Sequence, residues 1–372
     1  VLRTRRETLL AASFAVMAFN SLYQYSWNVL GPMIASGLEV SLIKVATAFS
    51  IFAVLSTVSQ LALGPLADAR GPRVIAPAAA LLSAVGFLGT AFSRDLIEFY
   101  VAWGLGSVGE GVLYGIASNV AVKWFPDRRG LATGLVSLGF GLGAAVANPL
   151  IESSRDFREA ALAIGLVELV ALTAIAATLR YPGGLRGVSV SKAVRGVSWW
   201  LLYATFVFAI VPLVSFSSSL RPLTGLRGYL LSVAVSLFPL FSGLGRPLLG
   251  ALSDRLGRPK TIELSLVVIA AFSASSLMGP PQLRVASVAM VGLFGGAQIP
   301  LFFSIVGDLY GEAFSTSNNA AMYTGKAFSG ILGGVVMAAL IEDGYGGALV
   351  IGSPLLASLL MLVALRTRRR GR

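Results

Sequence analysis

Two cations and one acid stand where a hydrocarbon environment should exclude them. Arg246 and Lys326 each interrupt an otherwise uncharged apolar run, and Glu110 lies between Gly109 and Gly111 in a third. A charge at the centre of a bilayer-spanning helix costs about 2.5–3.5 kcal/mol on insertion scales, so the two cations together cost on the order of 5–7 kcal/mol unless compensated. Two arrangements would compensate them: internal bridges to Glu110 or Glu168, or a watery cavity in which both cations bind an anion. Arg presents a planar fork that fits a carboxylate, and Lys a movable point charge. The surroundings favour a cavity. Tyr323 shares a helix face with Lys326, as Glu110 does with Tyr114, and Gln24-Tyr25-Ser26-Trp27 sets polar-tipped aromatics well inside an apolar run. A belt at the membrane interface is the other natural home for such a cluster. Of the remaining acids, Glu98 falls at a span edge, Glu263 within reach of water or Arg258, and Glu168 in a water-lined or interhelix position. Glu110 has to be sheltered by protein.

The elements that position these residues are read from composition. The chain has 372 residues, 56% apolar and only 12% charged, about half the charge of a soluble domain. Uncharged runs such as Val45 to Ala67, Leu131 to Ile151 and Val285 to Gly307 have the roughly 20 residues that a bilayer span requires. Helices are the default, because lipid offers no partner for an open strand edge. Twelve candidate spans lie near 9–33, 42–66, 74–92, 96–122, 130–151, 160–180, 197–219, 228–251, 261–279, 284–307, 316–341 and 346–365. The Gly- and Arg-rich segment 181–196 reads as a cytoplasmic linker between an N-terminal half, 1–180, and a C-terminal half, 197–372. Glycines 139, 141 and 143 on the fifth span, and 330, 333 and 334 on the eleventh, read as close helix packing.

Charge and cysteine usage exclude several functions. With no cysteine and no histidine, disulfides, thiol nucleophiles and most transition-metal sites are removed. No nucleophile-and-base pair is present either, so no enzyme, no metal and no cofactor is expected. The net charge of +12 does not point to nucleic acid, because the basic residues punctuate apolar segments. Most of them, including Arg3, Arg5, Arg6, Lys123, Arg128, Arg129, Lys192, Arg195 and the tail from Arg366 to Arg372, fall on one side. A minority, Lys44, Arg94, Arg155, Arg158, Arg221, Arg227 and Arg284, falls on the other. That asymmetry places both termini in the cytoplasm of a multi-pass protein of the plasma membrane. The first apolar stretch carries no cleavable signal and reads as a retained helix. The expected partners are the lipid bilayer and a small organic anion, and the expected working unit is a monomer.

A repeat organises the chain. Gly64-Pro-Leu-Ala-Asp68-Ala-Arg-Gly71-Pro-Arg73 closes the second span and Gly250-Ala-Leu-Ser-Asp254-Arg-Leu-Gly257-Arg258 the eighth, 186 positions later. A duplicated six-helix unit leaves such a trace, whereas two unrelated polar turns would not match in place. The two segments resemble the signature loop of the major facilitator superfamily. The resemblance implies an all-α membrane fold of twelve helices in two six-helix halves, with this loop in a cytoplasmic gate. There Asp68 with Arg73, and Asp254 with Arg258, would latch the outward-open state by meeting the N-terminal dipole of a facing helix.

A narrower likeness adds a substrate class. Lys123-Trp-Phe-Pro-Asp-Arg-Arg-Gly-Leu-Ala-Thr-Gly-Leu135 with Gly139-Phe-Gly-Leu-Gly143, Gln24-Tyr-Ser-Trp27, Tyr114-Gly-Ile-Ala117, Gly243-Leu-Gly-Arg246-Pro and Tyr323-Thr-Gly-Lys326-Ala resemble the oxalate/formate antiporter family. By that resemblance Arg246 and Lys326 hold the anion, and Gln24, Tyr25, Trp27, Tyr114 and Tyr323 enclose it. Three departures set the pocket apart: Gly295 and Ile299 where the family has aromatics, Phe140 where it has a tyrosine, and Glu110 where a small residue is usual. Together they imply a pocket that is larger, less polar on one side and open to proton coupling. The reading is a carrier that exchanges mono- and dicarboxylates by alternating access. Its rivals are a proton-coupled monocarboxylate symporter that titrates Glu110, and a membrane sensor that keeps the fold without cycling.

Overall fold

A computed structural model describes residues 2–370, with side chains described over 5–367. Arg3 and the tail arginines from Arg368 onward, counted in the charge asymmetry above, lie outside the described side chains. The described chain is helical almost throughout. α1 runs Leu2–Tyr25 and, past a bend at the buried Ser26, Trp27–Gly37. It is followed by α2 (Leu42–Arg70), α3 (Pro72–Phe92), α4 (Leu96–Trp124), α5 (Arg129–Glu152) and α6 (Phe157–Ala176). The second set is α7 (Val197–Thr224), α8 (Gly228–Leu256), α9 (Arg258–Met278), α10 (Pro281–Tyr310), α11 (Ser315–Glu342) and α12 (Gly346–Arg370). Ten of these are long and apolar enough to cross a membrane by length and composition alone. The other two, α1 and α4, carry the buried polar residues Asn20, Ser21, Ser107, Glu110, Ser118 and Asn119. The spans dearest to lipid are thus sheltered by their neighbours.

The duplicated loop explains how α2 joins α3 and α8 joins α9. Each connection is a single glycine, Gly71 at φ 75° and Gly257 at φ 89°, a backbone region that side chains with a Cβ rarely adopt. A proline follows close behind in each copy, at the first turn of the next helix, where its missing N–H has no partner to lose.

Internal contacts divide the chain into two units. One comprises Val1–Phe125, Val136–Arg186 and Glu312–Ala320; the other comprises Pro126–Leu135, Gly187–Gly311 and Ala321–Arg372. The division into 1–180 and 197–372 does not anticipate the two short exchanged pieces, the start of α5 and the start of α11. Within the first unit, Tyr23 is the hub of an aromatic core, with ring centroids 4.5 Å from Phe87, 4.7 Å from Trp103 and 6.0 Å from Phe52. Its hydroxyl donates to the Ser83 carbonyl at 2.8 Å. The core of the second unit gathers Phe216, Leu220, Phe238, Val288, Val291 and Met337.

Lipid tails are as apolar as leucine, so helices in a bilayer associate through close packing of small residues. An added Cβ would come within 2.4 Å of the Phe14 carbonyl at Gly139, 1.9 Å of the Ala18 carbonyl at Gly143, and 2.9 Å of Val214 at Gly333. Gly141, Gly330 and Gly334 face open space instead, so half of the glycines read as packing residues do not pack. Helical periodicity explains this for Gly141 and Gly334, which lie two and one positions from a glycine that packs and so face another side. Substituting Gly111→Ala, where the new Cβ would lie 2.0 Å from the Ser56 carbonyl, is expected to destabilise by about 1–3 kcal/mol through overpacking. Gly141→Ala should be neutral or stabilising by up to about 1 kcal/mol from helix propensity. Thermal inactivation of the two purified variants at a fixed scan rate checks the contrast.

Candidate functional site

The signature aspartates are helix caps. Asp68, on the last turn of α2, accepts hydrogen bonds from the backbone N–H of Thr316 at 3.2 Å and of Ser317 at 2.8 Å, and from the Ser317 hydroxyl at 2.5 Å. These residues open α11, so the carboxylate lies at the positive end of that helix and satisfies donors that have no partner within it. Asp254, on the last turn of α8, does the same for α5, accepting from Gly130 N–H at 2.9 Å and Leu131 N–H at 2.8 Å. Gly64 and Gly250 make the approach possible. A Cβ on Gly64 would lie 3.3 Å from the Ser317 Cα, and one on Gly250 would lie 2.1 Å from the Gly130 carbonyl. Asp68 and Asp254, Gly64 and Gly250, Thr316 and Gly130, and Ser317 and Leu131 are each 186 positions apart. The repeat therefore preserves a contact scheme as well as a loop.

The cations that complete the caps differ between copies. Lys123, at the end of α4, pairs with Asp68 at 2.9 Å, each side chain only 1% exposed. The same ammonium donates to the backbone carbonyls of Glu312 and Ala313 and lies 4.7 Å from the centre of the Tyr181 ring. Burial, and then the nearby Asp68 charge, push the Tyr181 phenol well above its ordinary pKa. It stays protonated, 3.0 Å from the Thr316 hydroxyl. In the other copy Arg258 meets Asp254 at 2.8 Å and Asp308 at 3.3 Å, and Arg129 also pairs with Asp308. The expected Asp254–Arg258 pair is thus present. The expected Asp68–Arg73 pair is not: Arg73 is exposed on the first turn of α3, past the Gly71 turn, and Lys123 fills its place. The sequence marks Lys123 as a topological anchor and as the start of the family motif, and it singles out no role for Asp308. An acid ending a span among basic loops was the available signal. Glu263, expected to reach water or Arg258, accepts instead from the Ser358 hydroxyl of α12, Arg258 being committed to two aspartates.

The residues read as the anion site fall into both units. In the second, Arg246 is buried on α8, 7% exposed. Its backbone is held on two sides, because Gly245 packs against the Leu293 carbonyl of α10 and Gly134 of α5 packs against the carbonyl of Arg246 itself. Lys326 is half-buried on α11, its Nζ 3.0 Å from the Tyr323 hydroxyl and 5.2 Å from the ring centre. The contact is therefore with the phenol oxygen rather than the ring face. Tyr323 in turn meets Phe303 edge-on at 5.9 Å.

In the first unit, Phe140 lies between Tyr25 and Tyr114, edge-on to each at 5.3 Å. Tyr114 is buried and Tyr25 is 38% exposed, while Gln24 is half-buried beside it. Trp27 turns into the aromatic core, 5.2 Å from Trp103 and 5.7 Å from Phe49. This separates it from the Tyr25–Phe140–Tyr114 group, as expected of residues two apart on a helical path, which face opposite sides. Glu110 is 3% exposed. It is held on α4 by Gly109, pressed against α3 at the Ala79 carbonyl, and by Gly111, pressed against α2 at the Ser56 carbonyl.

Lys123→Met is expected to cost about 3–5 kcal/mol, because it leaves the buried Asp68 carboxylate without its counter-charge. Adding Asp68→Asn should recover part of that loss, and Arg73→Ala should stay within about 0.5 kcal/mol, as for an exposed site. Thermal stability of the purified variants separates the three.

This geometry can be set beside known proteins. The family model of the Major Facilitator Superfamily matches residues 9–234 and 200–372. The chain is 48% identical over 366 residues to an uncharacterized 38 kDa protein of Thermoproteus tenax, covering 98% of this chain and 96% of that one. It is 31% identical over 356 residues to the oxalate:formate antiporter of Oxalobacter formigenes, covering 90% and 84%. Among solved structures it resembles the Escherichia coli transporter FucP in the outward conformation, with a TM-score of 0.75, 14% identity, and 96% and 98% of the two chains covered. That likeness speaks to fold alone. With its duplicated capped loop and its two sets of six helices, this chain belongs to the major facilitator superfamily, as a multi-pass membrane transporter similar to the oxalate:formate antiporter.

Proposed function

We propose that the chain is a secondary active carrier that exchanges small mono- and dicarboxylates by alternating access, acting as a monomer in the plasma membrane with both termini in the cytoplasm. The observation that carries this reading is Arg246, a cation 7% exposed within an otherwise uncharged stretch of α8, in a chain 31% identical to an oxalate:formate antiporter. Arg246 is the bidentate carboxylate clamp and Lys326 the second anchor. By the family resemblance Gln24, Tyr25, Tyr114 and Tyr323 shape the site, while Trp27 packs into the aromatic core against Trp103 and Phe49. Phe140 supplies an apolar wall between two tyrosines, which suits cargo with fewer oxygens on that side.

Asp68 and Asp254 serve as gate latches in this reading, with Lys123 and Arg258 as their counter-charges. A carboxylate that caps a helix and binds a cation at once makes a contact that forms or breaks as a unit, which is what a latch requires. Single cysteines introduced at the cytoplasmic ends of α5 and α11 would report it, since the chain has none of its own. Asp68→Asn and Asp254→Asn are each expected to raise their labelling. Labelling equal to the parent in both variants would remove the latch role.

A second reading, proton-coupled monocarboxylate symport, is favoured by the buried Glu110 of α4. It predicts an uptake whose pH dependence disappears in Glu110→Gln.

Counterflow of labelled formate and oxalate in proteoliposomes tests the main reading. Arg246→Lys keeps the charge but loses the planar fork, so its uptake should fall by about tenfold or more, the worth of roughly 1.4 kcal/mol of lost charge-assisted hydrogen bonding. Lys326→Gln should lose oxalate far more than formate, because only the second carboxylate loses its partner. Wild-type affinity and rate in Arg246→Lys would sink the clamp assignment, and an unaltered oxalate-to-formate preference in Lys326→Gln would sink the two-cation site.

A further inference from the structure

The first unit holds a carboxyl that neither the caps nor the anion site uses. Glu168 is 0% exposed, well inside α6, at the start of a π-helical stretch, Glu168–Leu172. Such stretches break the regular i to i+4 ladder and concentrate at functional positions. Its Oε2 accepts one hydrogen bond, from the Ser83 hydroxyl of α3 at 2.8 Å. Its Oε1 is buried with no hydrogen-bond partner, and Glu168 makes no ion pair, among the described residues.

The groups that face it bring no positive charge. From α1 comes the phenol of Tyr23, whose hydroxyl is committed to the Ser83 carbonyl at 2.8 Å. From α3, among the described residues, comes the Ser83 hydroxyl. From α4 comes Glu110, a second acid close enough to act on Glu168 and on Tyr23 electrostatically. An ionised carboxylate out of contact with water needs a cation or several donors. Among the described residues one hydroxyl is offered, and the charged group that acts on Glu168 is another acid.

We propose that Glu168 is a proton-binding site within the first unit, and that its proton enters the transport cycle. On binding, an O–H bond forms on Oε1, the carboxylate charge is neutralised, and the Ser83 bond to Oε2 is kept. Release returns the proton to solvent and leaves a carboxylate held by Ser83 alone, beside Glu110. A second acid in the same surroundings opposes ionisation of Glu168 and favours its protonated form. The proton site stands on the geometry of this unit by itself. Only its link to cargo movement rests on the carboxylate reading above, in its proton-coupled form.

Infrared spectra of lipid-reconstituted protein in H2O and D2O decide the assignment. The wild type should show a carboxylic-acid C=O band that shifts on deuteration, is lost in Glu168→Gln and persists in Glu110→Gln. Glutamine is isosteric with the neutral acid, so the variant should fold, and the wild-type spectrum stands without it. A wild-type spectrum lacking the band overturns the site. So does a band that survives in Glu168→Gln and vanishes in Glu110→Gln.

For the cycle, formate uptake driven by an inwardly directed proton gradient should be lost in Glu168→Gln while formate counterflow, which needs no net proton, is retained. Gradient-independent uptake in the wild type, or wild-type gradient-driven uptake in Glu168→Gln, overturns the coupling. A wild type that carries no formate in counterflow would defeat the carboxylate reading instead, and the infrared arm would still decide Glu168.

Discussion

Everything in this molecule answers to one constraint: the hydrocarbon interior offers no hydrogen-bond partner, so any polar group placed in it must be matched by protein. Helices meet that demand for the backbone along their length, but not at their ends, where several donors and acceptors lack partners. At the starts of α5 and α11 those donors are matched by carboxylates from α8 and α2, and the carboxylates by Arg258 and Lys123. One aspartate per copy therefore meets two needs, the helix end and the cation. That double duty explains why the same scheme stands at both places in the repeat while the cation that completes it does not. The backbone donors are fixed by the fold, whereas any cation within reach will serve.

The same constraint shapes the interior of each unit. α4 carries Glu110, Ser107, Ser118 and Asn119 and is buried along most of its length. Its glycines let the backbones of α2 and α3 close around it. α8 is treated similarly around Arg246, with Gly245 against α10 and Gly134 of α5 against the Arg246 carbonyl. Small residues beside a charged one are a means of rigidity. They bring backbone against backbone, and a side chain mounted on such a helix has little freedom to seek lipid or water. Preorganisation of this kind favours binding, because less is lost in ordering the group when a ligand arrives.

The aromatic residues divide by what surrounds them. Tyr23, Phe87, Phe99 and Trp103 form a packed core, whereas Tyr25, Phe140 and Tyr114 form an edge-to-face set that includes an exposed member. Tyr25 and Trp27 are two positions apart on α1 and belong to different sets, because that spacing turns them to opposite faces of the helix.

Much of this was legible in the sequence. Apolar runs of bilayer length dictate membrane helices because lipid permits little else, and the matching loops at Gly64–Arg73 and Gly250–Arg258 reveal the duplication. The anomalous charges Arg246, Lys326 and Glu110 declare themselves, since an unneeded charge in a span is costly. Other features depend on residues far apart in the chain. That Lys123 rather than Arg73 answers Asp68, that Asp308 joins Arg129 and Arg258, and that Glu168 shares its surroundings with Tyr23, Ser83 and Glu110 are decided by which helix faces meet. Periodicity constrains the face a residue takes on its own helix, but the neighbour across from that face is set by packing. For that reason the chain announces its fold and its misplaced charges on its own, while the partner of each charge emerges only from the tertiary structure.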